Sequence, residues 1–219
     1  MAGIYIHIPF CKQRCRYCAF YSSTLYNIRE AYVDALCKEL LMRKEYIANE
    51  MVGTIYLGGG TPSTLTMEQL KRICDTIYGN YPITETPEVT IECNPDDLTT
   101  EFLGQLRELP FNRISMGVQS FNDAQLKRLG RRHTAEAARQ AVANARAAGY
   151  SNISIDLMFA LSGSSRAEWQ ETLDAAIALR PEHLSAYNLM YEEGTPLYRA
   201  LLRGDFEELS EEENLEQFR

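Results

Sequence analysis

Cys11, Cys15 and Cys18 fall within one short stretch, Tyr5-Ile6-His7-Ile8-Pro9-Phe10-Cys11-Lys12-Gln13-Arg14-Cys15-Arg16-Tyr17-Cys18-Ala19-Phe20. An apolar run from Gly3 to Phe10 leads into them, and their spacing is C-x3-C-x2-C. Three thiols this close cannot all pair as disulfides, and as thiolates they suit a soft metal centre. A cubane iron–sulfur cluster held by cysteine normally takes four ligands. No fourth cysteine follows nearby, since position 20 is Phe20. Three ligands on a four-iron cluster leave one iron open to an exogenous chelator. The competing chemistry is a zinc knuckle or a reactive-thiol loop. Zinc asks for a fourth His or Cys at short spacing, and His7 stands on the strand before the loop.

Further groups recur where predicted strands end. Gly58-Gly59-Gly60-Thr61-Pro62-Ser63 follows the second strand. Its glycines permit a tight turn and a close approach to a ligand, but the lysine and spacing of a Walker motif are missing. Glu92 precedes Cys93-Asn94-Pro95, and Gln119 stands in Gly117-Val118-Gln119-Ser120-Phe121. Arg131 lies in Gly130-Arg131-Arg132-His133, and Asp156 in Ser154-Ile155-Asp156-Leu157-Met158. One such group often only caps a neighbouring helix; four in succession argue against coincidence. The only histidines, His7, His133 and His183, read better as surface or hydrogen-bonded side chains than as heme or proton-transfer groups.

The elements that must position these groups alternate strand and helix. Strands are expected at Gly3–Ile8, Thr54–Leu57, Val89–Cys93, Arg113–Gly117, Ile153–Met158 and His183–Asn188. Helical spacing runs from Asn27 to about Asn49 through Ala31, Leu36, Leu40, Leu41 and Ile47. Helices follow at Met67–Tyr78 with Thr66 as N-cap, from Thr99 towards Glu108, and at Asp123–Leu129. Others are expected at Thr134–Ala148, Arg166–Leu179 and Pro196–Leu202. Six βα units predict an α/β fold with a parallel sheet and right-handed crossovers. A doubly wound open sheet is the competing architecture. Either one gathers functional groups at the C-terminal strand ends.

Composition narrows the class. The 219 residues carry 22 basic and 30 acidic side chains, a net charge of −8, with no basic block or stripe. That argues against a nucleic-acid partner. No apolar run approaches the ~20 residues of a membrane span, and no signal peptide is recognisable. Six cysteines without an export signal point to a reducing compartment, so a cytoplasmic location is expected. Cys37, Cys74 and Cys93 read as small apolar side chains rather than ligands.

The cysteine spacing, with an aromatic residue before the last cysteine, resembles the signature of the radical S-adenosylmethionine (SAM) superfamily. The wider stretch resembles one branch of it, the oxygen-independent coproporphyrinogen III oxidases and their heme chaperone relatives. The resemblance implies a partial (β/α)6 TIM-type barrel. It implies a 4Fe-4S cluster on Cys11, Cys15 and Cys18, with the open iron binding the amino and carboxylate groups of S-adenosylmethionine. The cofactor contacts it implies are Gly59, Gly60 and Thr61 at the amino group, with Glu92, Gln119, Arg131 and Asp156 at the strand ends. Tyr5 matches a further family contact, and Tyr17 the aromatic packed over the cluster or adenine. Residues 1–205 would form the core domain, and 206–219 the start of a linker to a C-terminal domain.

Two functions then compete. One is oxidative decarboxylation of coproporphyrinogen III by a 5′-deoxyadenosyl radical. The other is a heme chaperone that carries heme to acceptor proteins. The oxidases carry a further cysteine where this chain has Phe20, and an extension ahead of the motif where this chain has almost none. Both departures favour the chaperone. The implied partners are heme or a porphyrinogen, an electron donor such as flavodoxin or ferredoxin, and a heme-acceptor protein.

Overall fold

Alternation along each strand decides the architecture. The computed structural model describes residues 1–48 and 50–219. Among them, six strands pair in parallel in chain order: β1 (Ala2–Ile8), β2 (Val52–Gly59), β3 (Ile83–Cys93), β4 (Arg113–Gln119), β5 (Ile153–Phe159) and β6 (His183–Asn188). The intervening helices are α1 (Arg29–Met42), α2 (Met67–Asn80), α3 (Thr100–Leu106), α4 (Asp123–Leu129), α5 (Ala135–Ala147) and α6 (Arg166–Ala178). α7 (Pro196–Leu202) and α8 (Glu211–Phe218) follow β6. A doubly wound sheet reverses its strand order at a switch point. The order β1 to β6 has no such reversal, so the sheet curls one way as a partial barrel.

Register separates the two faces. Ile6, Leu57, Ile91, Ile114 and Ile153 pair across five strands, and all are buried. They face the helices and form the core. On the other face Tyr5 pairs with Tyr56, Glu92 with Ser115, and Asp156 with Gly117 and Ser185. A parallel sheet covered on both faces reads as continuously apolar. Here the inner face is polar because the unclosed barrel leaves a lumen for water or ligand.

Local signals account for most boundaries. Gln69 N donates to Thr66 Oγ1 at 3.2 Å, and Thr66 N to Gln69 Oε1 at 3.1 Å, closing a capping box on α2. Thr66→Ala is expected to lower stability by about 1 kcal/mol, read by urea denaturation. The long helix expected from Asn27 instead divides into a 3₁₀ turn (Tyr26–Ile28), α1, and a second 3₁₀ turn (Lys44–Ile47), with Ala48 left-handed at φ 49°. Met42 to Tyr46 are exposed and only Ile47 beyond them rejoins the core, so the helix loses its buried face after Leu40. Its expected end at Asn49 lies outside the described residues. β3 begins earlier than expected because Ile83 pairs with Val52 before the register shifts to Thr54 and Glu88.

The last helix is anchored to the barrel. Trp169 Nε1 on α6 donates to Gln217 O at 2.8 Å, and Ala160 N donates to Gln217 Oε1 at 2.9 Å.

Candidate metal centre

The cysteine loop is irregular but tied along its length. Cys11 N donates to Ser23 O at 3.0 Å and Ser23 N donates to Pro9 O at 2.6 Å, closing its base. Arg16 N donates to Leu129 O at 3.0 Å, and Leu197 N to Arg16 O at 2.9 Å, pinning its middle between α4 and α7. Phe10 anchors it, fully buried and edge-on to Tyr32 at 5.4 Å. All three cysteines are free and line one cavity of about 450 Å³ at the C-terminal strand ends.

Gly59, Gly60, Thr61, Glu92 and Gln119 line the same cavity, as do Arg131, Asp156 and Tyr17. Eleven of the twelve residues singled out in the sequence thus meet in one place. Tyr5 does not. It stands 60% exposed on the lumen face, stacked on Tyr56 at 6.0 Å. Tyr56 in turn donates to Glu92 Oε1 at 2.8 Å, so Tyr5 borders the cavity only through a second side chain.

The glycine turn is shaped for close approach. Gly59 adopts φ 105°, and its N–H donates to Glu92 Oε2 at 2.9 Å. A Cβ at Gly60 would lie 2.7 Å from Ile8 O, so side-chain atoms are excluded there. Gln119 is also left-handed, at φ 70°, and its buried Oε1 has no hydrogen-bond partner among the described residues. Strain and an orphaned acceptor at one position are tolerated where a ligand supplies the donor.

The sulfurs are surrounded by donors. Arg131 Nη1 donates to Cys15 Sγ at 3.2 Å, and Thr61 Oγ1 to Cys11 Sγ at 3.5 Å. Asn94 joins these two donors: its Oδ1 accepts from Arg131 Nη2 at 2.7 Å and its Nδ2 donates to Thr61 Oγ1 at 3.3 Å. A guanidinium beside a thiolate offsets negative charge on a sulfur-ligated centre. Across the cavity, burial above all pushes the Asp156 carboxyl up from 3.8 to about 6, with Glu92 adding to the rise. Burial also raises the Tyr17 hydroxyl.

These groups fit a cluster with an adenosyl ligand. Tetrahedral zinc needs four donors about 2.0–2.3 Å from one point. Among the described residues no three His, Cys, Asp or Glu side chains gather around a single-ion site. A cubane instead spreads its thiolates over separate irons. The orphaned Gln119 Oε1 and the Asp156 carboxyl offer acceptors to ribose hydroxyls and an ammonium.

The other candidates have ordinary partners. His7 Nε2 lies 3.0 Å from Tyr21 O, and His183 Nδ1 2.9 Å from Ser154 Oγ. His133 is buried with Nε2 3.0 Å from Val118 O, and burial lowers its pKa to about 4. Cys74 and Cys93 are buried in the main core. Asn94 and Tyr56 were not anticipated as parts of the site, and Met190, near a family cofactor position but locally a poor match to it, also lines the cavity. Tyr56 shares its strand face with Gly58, so period-two alternation could have found it. Asn94 and Met190 lie beyond strand ends, where alternation no longer applies.

The family model for the radical SAM superfamily matches residues 5–176. The chain belongs to the radical SAM superfamily. Membership implies a 4Fe-4S cluster and S-adenosylmethionine. Among curated relatives, the chain is 37% identical over 206 residues to the heme chaperone HemW of Bacillus subtilis (strain 168), covering 93% of this chain and 54% of that protein. It is 38% identical over 195 residues to the heme chaperone HemW of Escherichia coli (strain K12), covering 88% and 52%. Among solved structures, the coproporphyrinogen III oxidase HemN of Escherichia coli, a radical SAM enzyme, superposes with a TM-score of 0.86 at 28% identity, covering 99% of this chain and 50% of that one. The chain spans about half the length of the curated relatives it matches. The likeness to HemN establishes the partial radical SAM barrel expected from the sequence.

Proposed function

We propose that this chain is the radical SAM core of a heme chaperone, with a 4Fe-4S cluster on Cys11, Cys15 and Cys18. The observation that carries the reading is the meeting of three free thiols, a glycine turn and strand-end acceptors around one cavity, in a chain whose curated relatives include heme chaperones. When bound, the cluster supplies a low-potential electron to the sulfonium of S-adenosylmethionine. Arg131 offsets thiolate charge beside Cys15, and Glu92 holds the glycine turn by its N–H. Gln119 and Asp156 accept hydrogen bonds from the adenosyl ligand. Tyr17 packs beside the cysteines, and Tyr5 acts through Tyr56.

Residues 1–205 form the core domain in this reading. Residues 206–219, with α8 held against α6, lead towards the further length seen in relatives. Heme, a flavodoxin or ferredoxin donor and a heme-acceptor protein are the partners, in the cytoplasm. No helix among the described residues is long and apolar enough to cross a membrane. The alternative, oxidative decarboxylation of coproporphyrinogen III, is supported by the likeness to HemN.

The test is anaerobic reconstitution with iron and sulfide, then EPR of the reduced protein with and without S-adenosylmethionine. A reduced-cluster signal that changes with the cofactor is expected, followed by a Soret shift on heme titration. A signal indifferent to the cofactor would defeat the SAM site. Decarboxylation of coproporphyrinogen III without heme binding would favour the oxidase.

A further inference from the structure

Behind the cysteine loop lies an ionic junction, centred on one buried carboxylate, that none of the chemistry above uses. The Asp97 side chain is 2% exposed, although it carries a carboxylate. Its Oδ1 accepts from Lys12 Nζ, and its Oδ2 accepts from Ser63 Oγ at 2.8 Å. Arg132 Nη2 lies 3.6 Å from Asp97 Oδ1 and also pairs with Asp96. Two aspartates thus face two cations, with a hydroxyl on the remaining oxygen. The backbone beneath is fixed as well: Asp97 N donates to Asn94 O at 3.0 Å, and Asn144 Nδ2 on α5 donates to Leu98 O at 3.1 Å.

Each partner belongs to a segment that carries part of the site. Lys12 lies between Cys11 and Cys15, and Ser63 follows Thr61 by two positions. Asp97 follows Asn94, the residue that joins Arg131 to Thr61, and Arg132 is next to Arg131. A buried carboxylate without partners is costly, so its bonds hold the four segments in one arrangement. The Lys12 end is 42% exposed, so that bond alone adds little to global stability. Its geometric effect falls on the loop between two ligand cysteines.

We propose that Asp97 is a positioning residue for the metal centre. Through Lys12 it sets the cysteine loop against the glycine turn and Arg131, so that the three thiols are presented together. This rests on the cluster assignment proposed above. Partners that orient metal ligands commonly change metal affinity about 10–100-fold when removed.

The test compares Lys12→Met, Lys12→Arg and Asp97→Asn with the unmodified chain. For each, the melting temperature of the metal-free protein is measured, then the rate of iron loss to a chelator after reconstitution, and the EPR line shape of the reduced cluster. Lys12→Met should lose iron about tenfold faster and broaden the signal, with the metal-free melting temperature nearly unchanged. Lys12→Arg should restore retention, since a guanidinium still reaches Asp97. Asp97→Asn should lose iron faster still and also lower the melting temperature. Equal retention in Lys12→Met and the unmodified protein would overturn the proposal, as would a failure of Lys12→Arg to restore it. If the unmodified chain takes up no iron and sulfide, the cluster assignment fails first and this role falls with it.

Discussion

Replacing Cys11, Cys15 or Cys18 by alanine should abolish the cluster, with iron and sulfide falling below about a tenth of the unmodified level. Each replacement leaves two thiolates, and the cavity holds no other thiol in a position to substitute. Cys93 borders the cavity, but its Sγ is buried in the core, 3.9 Å from Ile91 O, and burial raises its pKa well above the ordinary range. The fold should survive, because the loop is closed by backbone bonds that alanine retains, Cys11 N to Ser23 O among them. The metal-free melting temperature should therefore move little while metal content collapses. Cys37→Ser, away from the cavity, should leave iron and sulfide unchanged. A full cluster in Cys15→Ala would overturn the assignment.

Asp156→Asn should stabilise the ligand-free protein at pH 8 and leave it nearly unaffected near pH 3, below the unfolded-state value. Burial raises the folded-state pKa from 3.8 to about 6. A carboxyl raised in this way favours the folded state only while neutral, and that advantage is lost as pH rises through about 6. Above that pH the ionised carboxylate is a standing cost, shaped by Glu92 and Arg113 nearby and eased by Ser185 and Ser115. The shift corresponds to about 3 kcal/mol at 1.36 kcal/mol per unit, and water in the cavity reduces it to about 1–2 kcal/mol. Urea denaturation at pH 8 and pH 3 reads the difference. An equal effect of the substitution at both values would show that Asp156 is not held against ionisation. Stability gained by removing a group that would serve the ligand fits a site built for binding rather than for rigidity.

Much of this site was legible in the chain order. The three cysteines stand so close that any fold brings them near one another. The glycine turn, Glu92, Gln119 and Asp156 each sit at a predicted strand end, and a parallel sheet with crossovers in one sense brings all such ends to one rim. That is why eleven of twelve candidate residues meet although they come from five strands and their loops. Tyr5 fell outside because its place depends on depth in the lumen, and strand position alone does not give depth. The helix expected through Asn49 broke early because the exposed run from Leu41 to Tyr46 outweighed helical spacing, and Ile47 regains the core through a 3₁₀ turn.

The sequence by itself determined the cysteine spacing, the α/β alternation and the family, since these depend on residue types and local spacing. Only the tertiary structure decided which donors reach the sulfurs, how far Asp156 is shifted, and that Asp97 joins four separate segments. Those outcomes depend on distances of a few ångströms between residues up to 116 positions apart. Such distances are set by strand register and loop packing, which local pattern does not encode.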